Sequence, residues 1–365
     1  MSKDYLAARR KKLKSLLKRA GVEALLVTSE TNVTYLTGFY GDSSYLLIGK
    51  DQTVLISDTR YTIQIEEQCP GLDVYIRKST QSMTAALEQV LKKSRLATLG
   101  FESHVVTCAQ LESLNGLTPA VQWNPVSSLV EELRLVKDAF EIEETRKAVQ
   151  QAQRGFGILR AMLTEEMTEL QAAHDLEHAM RRFGARQAAF DPIVAAGERA
   201  ALPHAMPSEK RIGESPFLLV DWGAMTQKGY RSDLTRMIVH GRPTSKLEKV
   251  YNTVLKAQCA AIDAIRPGVT CKKVDQIARK VIDKAGFGKY FSHGLGHGIG
   301  LDIHEGPRLG GNDSTELKPG MIVTVEPGIY LTGWGGVRIE DDILVTRDGH
   351  EVLTSVPKEF ESAML

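Results

Sequence analysis

Two stretches of this chain follow one plan, and that repeat constrains the fold more than any other feature. Residues 217–239 read FLLVDWGAMTQKGYRSDLTRMIV, and residues 321–345 read MIVTVEPGIYLTGWGGVRIEDDILV. Each begins as an apolar strand that ends in an acid, one further residue and a glycine. A turn follows, then Gly-(Tyr/Val)-Arg-(Ser/Ile)-acid and a second apolar strand. Asp221 and Asp233 are the acids of the first copy, Glu326 and Glu340 those of the second. Apolar runs separated by turn residues are the signature of β-hairpins, so two similar halves are expected to build one shared cleft.

In an antiparallel hairpin, directly opposite residues carry their side chains on one face. Pairing Asp221 with Asp233 centres the first turn on Gln227, and pairing Glu326 with Glu340 centres the second on Gly333. Four carboxylates on a half-buried surface repel one another and lose hydration, a cost that protonation or bound cations must relieve. Two divalent ions balance four carboxylates, and metals about 3.5–4 Å apart are a recurring hydrolytic device.

The stretch HGLGHGIGLDIHEGP, residues 293–307, adds imidazoles. Its alternating glycines oppose a helix, so His293 and His297 are not a helical zinc pair. On an extended strand the two side chains share a face, and glycine there lets a metal, a substrate or another backbone approach closely. The spacing also lacks the pattern of nucleotide-binding loops. A competing motif, HDLEH at 174–178, matches the inverted zinc-protease signature on a helix expected over 168–183, opened by a Thr168/Gln171 capping box. Leu170, Ala173, Leu176, Met180 and Phe183 form the buried stripe of that helix. His174 and His178 therefore face solvent.

Residues 21–130 alternate short β-rich runs with helical segments such as 81–94, which predicts an α/β domain with a mixed sheet. A charged helical segment over 138–163 follows, and the domain boundary is placed near 133, giving domains 1–132 and 133–365. The second domain reads as α+β, with helices at 168–183, 245–265 and 272–285 and strands at 216–225, 232–240, 321–331 and 337–346. The 46 basic and 45 acidic residues leave no global field for nucleic acid. The basic N-terminus has no apolar segment of signal-peptide or membrane-anchor type. Four cysteines without C-x-x-C spacing favour free thiols in a reducing compartment, hence a cytoplasmic enzyme.

With these acids and histidines in hand, the chain resembles the pita-bread metallopeptidases, in particular the Xaa-Pro group of aminopeptidase P and prolidase (Xaa-Pro dipeptidase). The matching segments are FDPIVAAGERAALPHAMPS, LLVDWGAMTQKGYRSDLTR, HGLGHGIGLDIHEGP, VTVEPGIY and GGVRIEDD, with RAGVEALLVTSETNVTYLTGFYGDSSYLLI and ISDTRYT in the first half. The resemblance implies a creatinase-like N-terminal domain that caps or dimerises, a catalytic domain of two pseudo-twofold halves, and a homodimer. It implies Asp221, Asp233, His297, Glu326 and Glu340 as ligands of two divalent ions, with Asp233 and Glu340 bridging. The ions are expected to be Mn2+, with Co2+ or Zn2+ as alternatives. The resemblance further implies that a metal-bridging hydroxide would attack an Xaa-Pro bond, that Glu326 would shuttle its proton and that His304 would donate to the oxyanion. His204, His293 and Arg338 correspond to the groups that bind short proline-containing peptides.

One residue more than the family pattern separates Asp221 from Asp233. A slip of one would turn a carboxylate to the wrong face unless the TQKG turn or a bulge absorbs it. Dipeptidase and aminopeptidase P activity both remain open. The alternatives are a proline-indifferent aminopeptidase of this fold and a non-catalytic binding protein that keeps it.

Overall fold

The apolar runs near the N-terminus pair into one sheet. The computed structural model describes residues 3–94 and 96–365, which divide into a unit ending at Arg134 and a unit formed by Leu135–Leu365. In the first unit β1 (Ala24–Val27), β2 (Tyr45–Gly49), β3 (Thr53–Asp58), β4 (Asp73–Arg77), β5 (Thr98–Glu102) and β6 (Gln122–Val126) stand in the order β4-β3-β2-β1-β5-β6. The sheet is mixed: β1–β2 and β2–β3 are antiparallel, the other neighbours parallel. The central β1 is buried at every position. β4 and β6 are the edges, half-exposed and interrupted by polar residues, with Pro125 placed where a lost ladder donor costs least.

The second unit opens with the helix Ala139–Met162, capped by Asp138 and Glu141, and the helix Glu169–Arg182, capped reciprocally by Thr168 and Gln171. His174 and His178 are exposed on the latter. The short strands β7 (Gln187–Ala188) and β8 (Ile193–Ala196) follow. Next come β9 (Phe217–Trp222), β10 (Ala224–Met225) and β11 (Leu234–Val239), which form the first hairpin. The helices Ser245–Asp263 and Cys271–Lys284 lead to β12 (Gly296–Gly298) and β13 (Glu305–Leu309). The second hairpin is broken into β14 (Ile322–Val325), β15 (Gly328–Leu331), β16 (Gly335–Arg338) and β17 (Asp341–Val345), followed by β18 (His350–Val352).

β9 and β11 are buried on both faces, and their alternation sorts the core into two layers. Leu218, Val220, Trp222, Leu234 and Ile238 pack under the helices 139–162 and 169–182, with Trp222 stacked on Phe156 at 4.2 Å. Phe217, Leu219, Met237 and Val239 face the other way, into the core shared with β14–β17 and the helices 245–263 and 271–284. Asp221, Asp233 and Thr235 occupy that second face, because they keep the same parity as Phe217 and Val239. The halves meet there in a bridge between Thr235 and Glu340.

Register corrects one expectation. In the first hairpin Asp221 lies opposite Thr235, not Asp233, and Met225 pairs with Arg231. The turn is therefore centred on Lys228 rather than Gln227. A shift of the partner by two residues preserves the face, so both aspartates still point into the same space. The second hairpin keeps the expected register: Val325 pairs with Asp341 and Gly328 with Arg338, which sets Glu326 against Glu340.

Candidate active site

Each acid sits where a strand ends or breaks, and Glu326 is held by Thr324 of its own strand while Glu340 and Asp221 are held by residues of the opposite hairpin. Thr235 Oγ1 donates to Glu340 Oε2 at 2.7 Å and accepts from Arg338 Nε at 3.0 Å. Its counterpart Thr324 donates to Glu326 Oε1 at 3.2 Å and accepts from the His297 backbone N–H at 3.1 Å. Arg338 Nη1 donates to the Tyr330 hydroxyl at 2.8 Å, and Nη2 reaches Asp221. The hydroxyl of Tyr330 lies 2.9 Å from His293 Nε2. Because His293 Nδ1 faces the Gly294 carbonyl at 2.8 Å, it carries the proton, and Nε2 accepts from Tyr330.

Two glycines of the 293–307 stretch are required by close approach of neighbouring backbone. A Cβ on Gly296 would lie 2.1 Å from the Thr324 carbonyl oxygen, and one on Gly298 would lie 1.9 Å from that of Gly306. Only bare backbone lets β12 slot between its neighbours and carry His297 inward. β12 is three residues long, so His293 reaches the cleft from the preceding loop rather than from the strand itself.

Asp221, Asp233, His297, Glu326, Glu340, His204, His293, His304 and Arg338 line one cleft of about 500 Å3. Asp233, His297 and Glu340 each place a ligand atom within 4.8 Å of the others. Burial, reinforced by neighbouring carboxylates, holds the Asp233 and Glu340 carboxyls well above their usual range. Burial, with Asp221 nearby, does the same for Glu326. The opposite holds for His297: burial pulls its imidazole down to about 4.

These residues fit a cation centre. His297 Nδ1 faces the Gly298 carbonyl at 3.0 Å, so Nδ1 bears the hydrogen and Nε2 presents a lone pair. That lone pair faces Asp233 at 3.6 Å and Glu326 at 3.4 Å. Acceptor against acceptor in a buried site is unfavourable unless a proton or a metal ion lies between them. The Oδ1 atoms of Asp221 and Asp233 are likewise buried without a hydrogen-bond partner among the described residues.

Thr235, Thr324 and Tyr330 escape sequence reasoning, although each sits two or four residues from an acid on the same strand run. Arg308 also lines the cleft, and its pairing opposite His297 in β12–β13 is the signal that could have found it.

A carboxylate-rich cleft in which the His297 lone pair faces carboxylates, set between two like hairpins, defines a metal-dependent hydrolase. Residues 143–347 match metallopeptidase family M24 and residues 9–136 the creatinase/prolidase N-terminal domain. The chain belongs to metallopeptidase family M24. It is 36% identical over 359 residues to an Xaa-Pro dipeptidase of Pyrococcus horikoshii, covering 98% of this chain and 99% of that one. Among solved structures it is similar to an Xaa-Pro dipeptidase from Bacillus anthracis, with TM-score 0.94 and 39% identity over 99% of this chain and 100% of the other. It is also similar to an X-Pro aminopeptidase from Thermotoga maritima, with TM-score 0.87 and 33% identity over 94% and 98%. The pita-bread catalytic unit and the creatinase-like N-terminal unit expected from the sequence are borne out.

Proposed function

We propose that this chain hydrolyses the Xaa-Pro bond of short peptides, using two divalent ions held by Asp221, Asp233, His297, Glu326 and Glu340. The proline preference is carried by full-length similarity to Xaa-Pro dipeptidases. The metal requirement is supported by buried carboxylate oxygens without partners and by an imidazole lone pair facing carboxylates. Asp233 and Glu340, which lie within 4.8 Å of the His297 ligand atom, would be central to holding the ions, and the oxygen-rich donor set suits Mn2+. When bound, such a pair of ions supplies an acidified water and a Lewis-acid grip on the scissile carbonyl.

The chain's own groups do the rest. The Glu326 carboxyl, whose proton affinity is raised by burial, holds a proton at Oε and delivers it to the leaving proline nitrogen. His304, its ring 4.4 Å from that of His297, donates an N–H to the developing oxyanion. His204, at the exposed rim, binds the peptide. Arg338 and His293 fix Tyr330 and Asp221 beside it. Four unpaired cysteines support a reducing, cytoplasmic setting. A homodimer joined through the N-terminal unit accompanies the reading and is checked by sedimentation.

The test is hydrolysis of Ala-Pro, Ala-Pro-Ala and Ala-Ala by Mn2+-loaded protein, with metal content measured on the same sample. Cleavage of the proline substrates, absent with Ala-Ala and abolished by a chelator, is expected at two ions per chain. Turnover of Ala-Ala at the same rate would replace the proline reading with a general aminopeptidase. Ala-Pro cleaved far faster than Ala-Pro-Ala identifies a dipeptidase, and the reverse an aminopeptidase P.

A further inference from the structure

Glu169 is a fully buried carboxylate far along the chain from the acids of the cleft. It is the first residue of the helix Glu169–Arg182, yet its side chain turns away from the helix to serve another segment. Oε1 accepts the backbone N–H of Ala196 at 2.7 Å and Arg199 Nε at 3.1 Å. Oε2 accepts Arg199 Nε at 2.8 Å, the backbone N–H of Ser208 at 3.0 Å and its hydroxyl at 2.7 Å. Ala196 and Ser208 are twelve positions apart in the sequence, so one carboxylate closes both ends of the loop between them. The main chain repeats the closure, since Glu169 N donates to Lys210 O and Leu170 N to Ser208 O, both at 3.0 Å.

Inside that neck Arg199 reaches forward, its Nη2 donating to the Met206 carbonyl at 2.5 Å. The tip of the loop, Pro203 to Pro207, is one wall of the cleft. The Pro203 carbonyl accepts from Arg338 Nη1 at 3.4 Å, which joins the tip to the arginine that holds Asp221. The loop is anchored in the core only through the small side chains of Ala200 and Ala205, while Leu202, His204 and Met206 are exposed. The directional ties that hold it between those two points come from the neck.

A buried charge costs solvation, and such groups persist where they are paired and fully hydrogen-bonded. Charge-assisted bonds of this kind are the strong ones and are also the directional ones. We propose that Glu169 is a positioning residue that fixes the 197–208 loop and thereby sets how tightly the cleft holds its peptide through the His204 wall. This rests on the reading of the cleft as an Xaa-Pro peptidase site.

The test uses Mn2+-loaded full-length protein carrying Glu169→Gln, which keeps the shape and turns one acceptor into a donor facing Ser208. KM for Ala-Pro is expected to rise about tenfold, equivalent to one lost charged hydrogen bond, with kcat within about twofold and metal content unchanged. A purely structural role would instead lower the active fraction, so kcat would fall at constant KM, and that result overturns the proposal. Ser208→Ala, a milder change at the same neck, is expected to raise KM about threefold and covers the case in which Glu169→Gln does not fold. The second measurement is independent of activity: trypsin cleavage between Arg199 and Arg211 is expected to be about tenfold faster in the variant than in the wild type under native conditions. Equal cleavage rates sink the clasp even if the enzyme cleaves Ala-Pro. A wild type inactive on every Xaa-Pro substrate sinks the functional reading while leaving the cleavage comparison to decide the clasp.

Discussion

Arg338 Nη2 lies 2.5 Å from Asp221 Oδ2, with both side chains buried. Arg231 occupies the equivalent place in the first hairpin, but it bonds to the main-chain carbonyls of Leu301 and Ala189. One copy of the repeat spends its arginine on a carboxylate of the cleft, the other on backbone. Arg338→Met leaves Asp221 buried without its partner and is expected to destabilise the protein by about 3 kcal/mol. Urea unfolding checks this. Arg338→Lys keeps the charge but loses the fork to Tyr330 and Thr235, and should fall between the two.

Metal removal should show in protons as well as in activity. Asp233, Glu326 and Glu340 bind protons more tightly than exposed carboxyls because they are buried among like charges. A cation entering the site must expel those protons. Calorimetry of Mn2+ binding at neutral pH in two buffers of different ionisation enthalpy should therefore reveal net proton release, and apparent affinity should climb with pH. For the metal-free protein the sign is opposite to that of an ordinary salt-bridged acid: raised folded pKa values mean that stability falls as pH rises above about 4. Buffer-independent binding heats would contradict this.

His293 supplies a pH effect of its own. Burial, followed by the charge of Arg338, brings its pKa down to about 4, below the value of about 6.5 expected in the unfolded chain. The neutral ring is the form that accepts from Tyr330. Stability from this group is present above about pH 6.5 and is lost as pH falls toward 4. His293→Asn should flatten that part of the stability profile in denaturant titrations at several pH values. An unchanged slope would show that the ring is not neutral for this reason.

His304→Ala is expected to lower kcat on Ala-Pro about 10²-fold, the usual cost of removing one oxyanion donor. Metal content measured by mass spectrometry should stay at the wild-type value. Lost metal with lost activity would assign His304 a supporting role for His297 instead.

Gly298→Ala is expected to destabilise by about 3 kcal/mol or more, because the new methyl would lie 1.9 Å from the Gly306 carbonyl oxygen and neither backbone can retreat. Gly294→Ala is the contrast: its nearest neighbour, the Leu309 carbonyl oxygen, is 3.2 Å away. Calorimetric melting of the two variants should separate them clearly.

The hairpins, their acids and His297 were readable because alternation and turn residues leave a period-two imprint on the chain. The capping box at Thr168 was readable for a similar reason, since it is local, whereas the equally local box at Asp138 was found only in the structure. What escaped was set by distance or by edges. The offset of the first turn depends on which residues pair, and a two-residue shift leaves the apolar pattern untouched. β4 and β6 lie at sheet edges, so nothing demands the continuous apolar run that marks a buried strand. Arg338 with Asp221, and Glu169 with Ser208, join residues 117 and 39 positions apart. No local pattern records such contacts.

The strands that bear the acids are sealed on both faces, while Leu202, His204 and Met206 stand exposed on a loop gathered at its base. Variation in which peptides are accepted is therefore separable from the chemistry beneath. Substitutions at Leu202, His204 and Met206, with Ala200 and Ala205 kept, offer a route to retargeting that leaves the inherited scaffold intact, whereas a library aimed at the floor would mostly yield proteins that never mature.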